Sequence, residues 1–174
     1  MAANSRRTSF AILVTALFIG TRFLVVTAQG IYRDDPIEWL NAHNNGRSAE
    51  GRGLRPLKWN ASAFQYALTW SVNAPNCFGH SGSKIYGENV AWYPDTAVTP
   101  TDAVSGWVAE RVNYTYSSNS CVRGQTCEDF TQVVWNTTTS VGCAWSFCSS
   151  GGVAGKFFTC NYYPPGNGDY RRPY

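Results

Sequence analysis

Six cysteines constrain this chain more than any other feature of its sequence. All six lie between Cys77 and Cys160, and no C-x-x-C pair is among them. In an oxidising compartment, an even number of cysteines with no such pair indicates disulfides rather than a metal cluster or a catalytic thiol. Six cysteines allow 15 pairings, and their spacing alone does not choose among these. The compartment therefore has to be established first.

The first 28 residues have the pattern of a secretory signal peptide. Two arginines precede an apolar run over residues 10–19, and residues 26–28 are small enough for cleavage. A run of ten apolar residues is too short to cross a bilayer, so we expect no transmembrane span in the mature chain. An uncleaved anchor is the alternative, because residues 23–26 extend the run. The leader over residues 1–28 predicts a secreted protein.

Length and charge are typical of a single globular domain. The chain has 174 residues, of which 44% are hydrophobic and 14% charged, which argues against a disordered protein. Its formal charge is +3, but the leader holds three arginines and no acidic residue, so the remainder is neutral. Without a basic excess in the mature part, we expect no nucleic-acid partner.

The residue pattern predicts three helices and three strands. Asp35, Asn60 and Thr99 stand where helix N-caps are expected, and apolar residues follow each of them at helical spacing. Runs of β-branched and aromatic residues predict strands over residues 86–92, 141–147 and 156–163, with a hairpin loop at 149–152. Because helices come first and an antiparallel hairpin comes last, the predicted class is α+β.

Eight short motifs resemble those of the CAP superfamily, and within it the plant class-one pathogenesis-related proteins. In chain order they are Leu40-Asn-Ala-His43-Asn, His80-Ser-Gly, Gly87-Glu88-Asn89, Trp107-Val-Ala-Glu110-Arg111, Phe130-Thr-Gln-Val-Val-Trp135, Val141-Gly-Cys143, Cys160-Asn-Tyr162 and Arg172-Pro-Tyr174. The resemblance implies a three-layer α-β-α sandwich with a central antiparallel sheet over residues 29–163. It also implies a short helix at 130–135, where the paired valines alone suggest a strand. The disulfides that it implies are Cys77–Cys148, Cys121–Cys127 and Cys143–Cys160.

In that family, two histidines and two glutamates line a cleft that can hold a divalent cation. The resemblance carries over His43, Glu88 and Glu110 as three members of this set. Asp129 stands where the second histidine is expected, while His80 matches a different family position. One imidazole with three carboxylates is a harder donor set than zinc prefers. We therefore expect no required cofactor, and either weak binding of a hard divalent cation or a proton held on one carboxylate.

His43 also has a plainer interpretation. Without the family pattern, a histidine on an amphipathic helix is more often a buried, hydrogen-bonded core residue than a ligand. Glu88 and Glu110 have corresponding structural alternatives, as a carboxylate bonded to backbone amides and as part of a solvated helix face.

Some CAP proteins bind sterols through a loop that corresponds here to residues 112–121. Tyr114, Tyr116 and Asn119 match the plant pattern of that loop. Aromatic walls suit a flat, apolar ligand with one hydroxyl, so the resemblance implies a sterol or another lipid of a pathogen membrane as the partner. The alternative is that these tyrosines are ordinary loop residues.

Three sequons predict N-glycosylation of a secreted chain, at Asn60, Asn113 and Asn136. Asn113 lies within the tyrosine-containing loop. A glycan there would be bulky and hydrophilic, so we expect it to hinder a lipid at the loop.

The tail over residues 164–174 resembles a peptide that plant relatives can release as a defence signal. In those relatives the cut follows a Cys-Asn-Tyr-x element, which is Cys160–Tyr163 here. Tyr163 replaces the aspartate usually found before the cut, so a protease that selects for aspartate would pass it by. A released peptide would need its own receptor. The alternative is a flexible tail that packs on the domain.

Together these features predict a non-enzymatic plant defence protein, active against fungi or oomycetes, in the extracellular apoplast or alternatively the vacuole. A precursor of the signalling peptide and a degenerate CAP protein with a structural or developmental role are the alternatives. A hydrolase is disfavoured, because the sequence shows no nucleophile with a paired base: His80 and Ser81 are adjacent, and neighbours in sequence rarely form such a pair.

Overall fold

The computed structural model of the chain describes residues 35–168 and 171–174. In the preceding unit, residues 1–34, it describes the backbone of three strands that pair antiparallel in chain order. These are Thr15–Ile19 (β1), Arg22–Thr27 (β2) and Gly30–Arg33 (β3). The predicted leader over residues 1–28 falls mostly outside the described residues and stays a prediction.

Residues 35–174 form the second unit. The described α-helices of this unit are Pro36–Ala49 (α1), Ala61–Asn73 (α2), Pro100–Ala109 (α3) and Glu128–Val133 (α4). The strands are Lys58–Trp59 (β4), Gly87–Tyr93 (β5), Tyr114–Thr115 (β6), Ser120–Cys121 (β7), Ser140–Ser150 (β8) and Val153–Tyr163 (β9). Within the described part of the chain, we find no helix long and apolar enough to cross a membrane.

Side-chain caps begin the first three helices at the predicted positions. The Asp35 carboxylate accepts hydrogen bonds from two backbone amides of α1, and Asn60 accepts one from the first turn of α2 at 3.0 Å. Thr99 and Asp102 close a capping box at α3. These bonds satisfy amides that have no partner within the helix, which is why short polar residues mark the starts.

A four-stranded sheet in the order β4-β8-β9-β5 forms the centre of the unit. β8 and β9 are antiparallel neighbours, as predicted, and the turn between them places Gly151 and Gly152 at φ of 57° and 82°. Glycine tolerates this left-handed conformation better than any residue with a Cβ. β5 pairs antiparallel with the other edge of β9, while the short β4 runs parallel to β8.

Alternate residues of β9 face two helical layers. Phe158, Cys160 and Tyr162 are buried in the core that also contains residues of α1, α3 and α4. Phe157 is buried on the opposite face, near the end of α2. This alternation follows from the two-residue period of a strand. The predicted α+β class and three-layer sandwich are confirmed.

The close packing of α2 on the sheet depends on Gly142 in β8. A Cβ at this position would collide with backbone atoms of Asn60 and Phe64. α4 is the short helix that the family resemblance implied, and the strand suggested by its valines is wrong. Val133 and Val134 are fully buried in the core, so burial rather than strand pairing explains their apolar character.

The structure forms three disulfides with the pairing that the resemblance implied: Cys77–Cys148, Cys121–Cys127 and Cys143–Cys160. Cys143 and Cys160 are direct partners in the β8–β9 register. Cys121 and Cys127 close a short loop before α4, and Cys77–Cys148 joins the end of the α2 layer to β8.

The tail packs on the domain. Gln132 of α4 accepts a hydrogen bond from the Gly166 amide at 2.9 Å, and the Thr138 hydroxyl donates to the Pro164 carbonyl at 2.9 Å. Pro173 is buried. Backbone groups of the tail thus find partners on α4 and on the chain that follows it.

Candidate functional site

Four ionisable side chains from different elements form an acidic cluster: His80, Glu88, Glu110 and Asp129. Glu88 lies on β5, Glu110 follows α3, Asp129 is in the first turn of α4, and His80 is in the loop before β5. The Asn89 side-chain amide donates to the Asp129 carbonyl at 2.9 Å and so joins β5 to α4. The cluster is therefore assembled by the fold and not by one segment of the chain.

Glu88 is the acceptor for the loop that carries His80. Its two oxygens accept hydrogen bonds from the Ser81 amide at 2.7 Å, the Ser81 hydroxyl at 2.6 Å and His80 Nδ1 at 3.2 Å. The Glu88 side chain is 6% exposed, whereas that of His80 is 60% exposed. The hydrogen bond to Glu88 raises the pKa of His80, and the charges of Glu88 and Asp129 raise it further.

Glu110 caps α4 from outside that helix. One of its oxygens accepts the backbone amides of Asp129 at 3.1 Å and Phe130 at 3.3 Å. The other accepts the Thr126 hydroxyl at 3.0 Å. A carboxylate at a helix N-terminus is favoured by the helix dipole and by the unpaired amides there. Glu110 thus has a structural role as well as a place in the cluster.

The surroundings of Asp129 shift its pKa strongly. Burial raises the pKa of Asp129 to about 7, and the nearby charge of Glu110 acts in the same direction, while His80 opposes it. A buried carboxyl beside another carboxylate favours the protonated form. The surroundings of Asp129 therefore favour its neutral, protonated form.

His43 is not part of this cluster, which corrects the predicted set of His43, Glu88, Glu110 and Asp129. Its side chain is fully buried in the core. Nδ1 donates to the Trp39 carbonyl at 2.8 Å, so Nε2 accepts from the Tyr162 hydroxyl at 2.8 Å. Burial lowers the pKa of His43 to about 4. His43 is a neutral core residue with both ring nitrogens occupied, which is the plainer interpretation of its sequence position.

Two neighbours of His43 on α1 are structural as well. The Asn44 side chain exchanges hydrogen bonds with both backbone groups of Leu57, at 2.7 and 3.2 Å. The buried Arg47 guanidinium donates to the carbonyls of Val133 and Trp135, at 2.8 and 2.9 Å, and thereby closes the end of α4. This part of α1 therefore holds neighbouring elements of the fold together.

His80 is the cluster member that sequence reasoning did not include. It lies eight residues before Glu88, and the Ser81 that follows it is the residue that binds Glu88. The sequence feature that could have identified His80 is its short distance from Glu88, with His80 just before the predicted strand and Glu88 at its start. With His80 replacing His43, the cluster still has one imidazole and three carboxylates.

Within the part of the chain that the structure describes, the cluster of His80, Glu88, Glu110 and Asp129 does not bring three potential ligand atoms within 4.8 Å of one another. Both oxygens of Glu88 and of Glu110 already accept hydrogen bonds from the protein. Among the described residues, only two groups bring three potential ligand atoms within 4.8 Å of one another: His43–Cys143–Cys160 and Cys121–Cys127–Glu128. Each of them contains a disulfide, whose sulfurs are not thiolate ligands.

The tyrosine loop, residues 114–121, is the second candidate site. The Tyr114 hydroxyl donates to the Asn119 side-chain carbonyl at 2.8 Å, and Asn119 adopts φ of 50° at the turn. The ring of Tyr114 lies edge-on to Tyr116, with centroids 6.5 Å apart, and also contacts Phe130 of α4. β6 and β7 pair at the base of the loop. The predicted residues Tyr114, Tyr116 and Asn119 therefore meet in one structure.

A cavity of about 560 Å³ lies between this loop, α4 and the tail. Its walls combine aromatic and polar residues: Tyr114, Asn119, Ser120, Cys121, Cys127, Glu128, Thr131, Trp135, Asn167, Arg171 and Pro173. The loop, the Cys121–Cys127 disulfide and the tail thus enclose the same space.

The three sequon asparagines differ in their surroundings. Asn60 caps α2, and its side-chain nitrogen donates to Ser140 at 3.2 Å. The side-chain nitrogen of Asn113 donates to the Thr126 carbonyl at 3.0 Å, just before the tyrosine loop. Asn136 is exposed. Glycosylation at all three stays a prediction.

Comparison with known proteins agrees with this fold and this set of motifs. The family model described as the cysteine-rich secretory protein family, CAP, matches residues 40–162. A pathogenesis-related protein PR-1 of Medicago truncatula is 44% identical over 138 residues, which cover 79% of this chain and 78% of the relative. The PR-1 type protein of Sambucus nigra is 39% identical over 153 residues, which cover 87% of this chain and 89% of the relative.

A solved structure supports the same assignment. Venom allergen-like protein 4 of Schistosoma mansoni is 30% identical, with a TM-score of 0.57 over 78% of this chain and 90% of that one. The family match covers more than half of the sequence, and the plant relatives are covered over most of their length. The chain therefore belongs to the CAP family of cysteine-rich secretory proteins, among the plant pathogenesis-related PR-1 proteins.

Proposed function

We propose that this CAP protein acts in plant defence outside the cell, by binding a sterol or a related lipid of a fungal or oomycete membrane at the tyrosine loop. The observation that carries the proposal is the cavity of about 560 Å³ beneath that loop, with the aromatic walls Tyr114 and Trp135. The two aromatic rings suit a flat apolar body, and polar lining residues such as Asn119 and Thr131 suit the one hydroxyl that it carries.

Secretion is supported by the disulfides and by the leader pattern. Three disulfides cross-link one domain, and such bonds form and persist in an oxidising compartment. The sequons at Asn60, Asn113 and Asn136 are meaningful in the same compartment.

A binding role without catalysis is supported by the groups around His80. The Ser81 hydroxyl donates to Glu88 at 2.6 Å instead of to a histidine base. All six cysteines are oxidised, so the described residues include no free thiol. Neither Ser81 nor a cysteine is therefore paired with a base as an activated nucleophile, and covalent catalysis needs such a pair.

The proposal is tested by titrating the purified mature glycoprotein with a fluorescent sterol. Tyr114→Ala is expected to weaken binding about tenfold, because the ring of Tyr114 forms a wall of the cavity and loss of this contact surface removes about 1 kcal/mol or more. Tyr66→Ala is the matched control, since Tyr66 is a partly exposed tyrosine on α2, outside the loop. No saturable sterol binding by the wild type, or equal loss in both variants, would refute the proposal.

The glycan at Asn113 gives a separate test. Asn113→Gln is expected to bind sterol more tightly than the glycosylated wild type, because a sugar on Asn113 would stand beside the loop. Occupancy of Asn113 is first established by mass spectrometry. Equal affinities with full occupancy would show that the glycan does not block the ligand.

Release of residues 164–174 as a signalling peptide, recognised by its own receptor, is the second candidate function. It has a structural barrier, because the tail packs on α4 through Pro164 and Gly166. A cut after Tyr163 would have to be followed by the loss of these bonds. A peptide that starts at Pro164 in secretions of stressed tissue would favour this candidate.

A structural or developmental role is the remaining alternative. A developmental defect in a variant that still binds its ligand would favour it.

A further inference from the structure

The segment over residues 171–174 is bound to the tyrosine loop through specific backbone contacts. Arg172 donates from Nε to the Tyr116 carbonyl at 3.0 Å and from a terminal nitrogen to the Ser117 carbonyl at 2.9 Å. The Asn119 side-chain amide donates to the Arg171 carbonyl at 3.3 Å. The two bonds from Arg172 end on backbone carbonyls of the loop, so they depend on the conformation of the loop backbone.

Tyr174 occupies the face of an aromatic ring in the loop. Its ring stacks on Tyr116 with centroids 5.3 Å apart and an angle of 10° between the planes. The Tyr116 hydroxyl donates to the Tyr174 carbonyl at 2.8 Å. The guanidinium of Arg52 lies 5.4 Å from the Tyr116 ring and 5.2 Å from the Tyr174 ring. The two tyrosines and this cation form one stacked unit.

The hydroxyl end of Tyr174 is also held. It donates to a carboxylate oxygen of Glu50 at 2.9 Å, at the C-terminal end of α1. The other oxygen of Glu50 accepts from Arg111 at 3.0 Å. Partial burial and the bond to Glu50 raise the pKa of Tyr174 to about 12, so the hydroxyl keeps its proton and remains a donor. Tyr174 thus has a ring site and a hydroxyl site.

The same segment forms a wall of the loop cavity. Arg171 and Pro173 line it together with Tyr114 of the loop. Pro173 accepts a hydrogen bond from the Asn136 amide at 2.7 Å, next to Trp135 in the sequence. The segment therefore places a charged side chain at the cavity, and its Tyr174 covers one face of Tyr116 in the same loop.

We propose that the loop surface formed by Tyr116, Asn119, Arg52 and Glu50 is a peptide-binding site whose occupant is the chain's own 171–174 segment, and that this segment must leave before a lipid enters the cavity. The lipid part of this inference rests on the proposed function. The peptide part rests on the contacts alone.

Two full-length variants separate stacking from hydrogen bonding at this site. Tyr174→Ala removes the ring and the hydroxyl, whereas Tyr174→Phe keeps the ring and loses only the bond to Glu50. Loss of the stacked ring is expected to increase hydrogen exchange at the loop amides of residues 116–122 by about tenfold, because local opening becomes easier. Tyr174→Phe is expected to exchange at a rate closer to that of the wild type.

The same proteins are then titrated with the fluorescent sterol. Tyr174→Ala is expected to bind it at least about threefold more tightly than the wild type, by analogy with the stacking contribution that is lost. A synthetic peptide with the sequence of residues 171–174, added in excess, is expected to reverse both this gain and the faster exchange. Tyr116→Ala in the Tyr174→Ala background removes the response to the peptide.

The outcomes separate the two parts of the inference. Unchanged loop exchange in Tyr174→Ala, together with no effect of the peptide, would overturn the peptide site. Equal or weaker sterol binding by Tyr174→Ala, with faster loop exchange, would overturn exclusion of the lipid by the segment. If no variant binds sterol, the proposed lipid function fails, and loop exchange with and without the peptide still decides whether the segment occupies a site.

Discussion

Asp129 and His43 are both driven towards their neutral forms by burial, but they respond to pH in opposite directions. The pKa of His43 falls from 6.5 to about 4, so its contribution to stability is present at high pH and is lost as the pH falls through this range. The pKa of Asp129 rises from 3.8 to about 7, so its contribution is present at low pH and is lost as the pH rises through that range. Between about pH 4 and 6.5 the two effects oppose each other.

Asp129→Asn removes one of these effects. The variant is expected to match the wild type in its free energy of unfolding near pH 4 and to become more stable than the wild type as the pH rises to 7, because the wild type must then ionise a half-buried carboxyl. Since the side chain is partly exposed and solvent screens its charge, we expect a gain of about 2 kcal/mol above pH 7.

Denaturant unfolding of both proteins between pH 4 and pH 8 measures this difference. Asp95→Asn, which replaces an exposed carboxylate, is the control. A difference between Asp129→Asn and the wild type that stays constant across the range would contradict the assignment of a raised pKa to Asp129.

The residue scale is where sequence reasoning was least complete. Glu88, Glu110 and Asp129 could be predicted as neighbours from family motifs, but the choice between two histidines required coordinates. The helical spacing of His43 is the same whether its side chain faces a cleft or the core. Its hydrogen bonds to Trp39 and Tyr162 show that it lies in the core. The capping of α4 by Glu110 is also invisible in the sequence, because it joins residues from separate elements.

At the scale of elements, Arg47 joins α1 to α4. It is 1% exposed and donates to three backbone carbonyls, those of Arg55, Val133 and Trp135. No carboxylate among the described residues forms an ion pair with it. Its burial lowers its pKa to about 10. The guanidinium of Arg47 therefore acts as a hydrogen-bond donor to several carbonyls and caps the C-terminal end of α4.

Arg47→Met keeps most of the side-chain volume and removes these donors. We expect a loss of about 2 to 3 kcal/mol in the free energy of unfolding, because buried carbonyls are left without partners while the burial of a charge is relieved. Thermal and denaturant unfolding measure the loss. Arg123→Met, at an exposed position, should change stability by less than about 0.5 kcal/mol. Equal stability of Arg47→Met and wild type would refute the capping role.

The starts of the helices could be predicted from neighbouring residues, whereas the type of one element, α4, could not. Asp35, Asn60 and Thr99 each start a helix because a side-chain oxygen accepts the first free amides, and this depends on adjacent residues only. α4 could not be assigned from its own residues, since Val133 and Val134 are equally apolar in a strand and in a buried helix. There the tertiary environment decides.

At the scale of the whole molecule, the three disulfides close loops of very different length. Cys77–Cys148 spans 71 residues, Cys143–Cys160 spans 17 and Cys121–Cys127 spans 6. Restriction of the unfolded chain grows with the logarithm of the loop length, and this model gives about 4, 3 and 2 kcal/mol in that order. Their pairing followed from family resemblance and not from spacing.

Paired substitution of each cysteine couple by serine tests this order. Removal of Cys77 and Cys148 is expected to lower the free energy of unfolding most, and removal of Cys121 and Cys127 least. Denaturant unfolding under non-reducing conditions gives the three values. The reverse order would mean that packing in the folded state, and not chain entropy, dominates the contribution of these bonds.

The overlap of two of these disulfides has a consequence for a chain that meets proteases. Cys143 lies between Cys77 and Cys148 in the sequence, and its partner Cys160 lies beyond both. Every peptide bond from Cys77 to Cys160 is therefore enclosed by one covalent ring or the other. A single nick anywhere in this interval leaves both fragments attached, so the domain can be cut once there without coming apart.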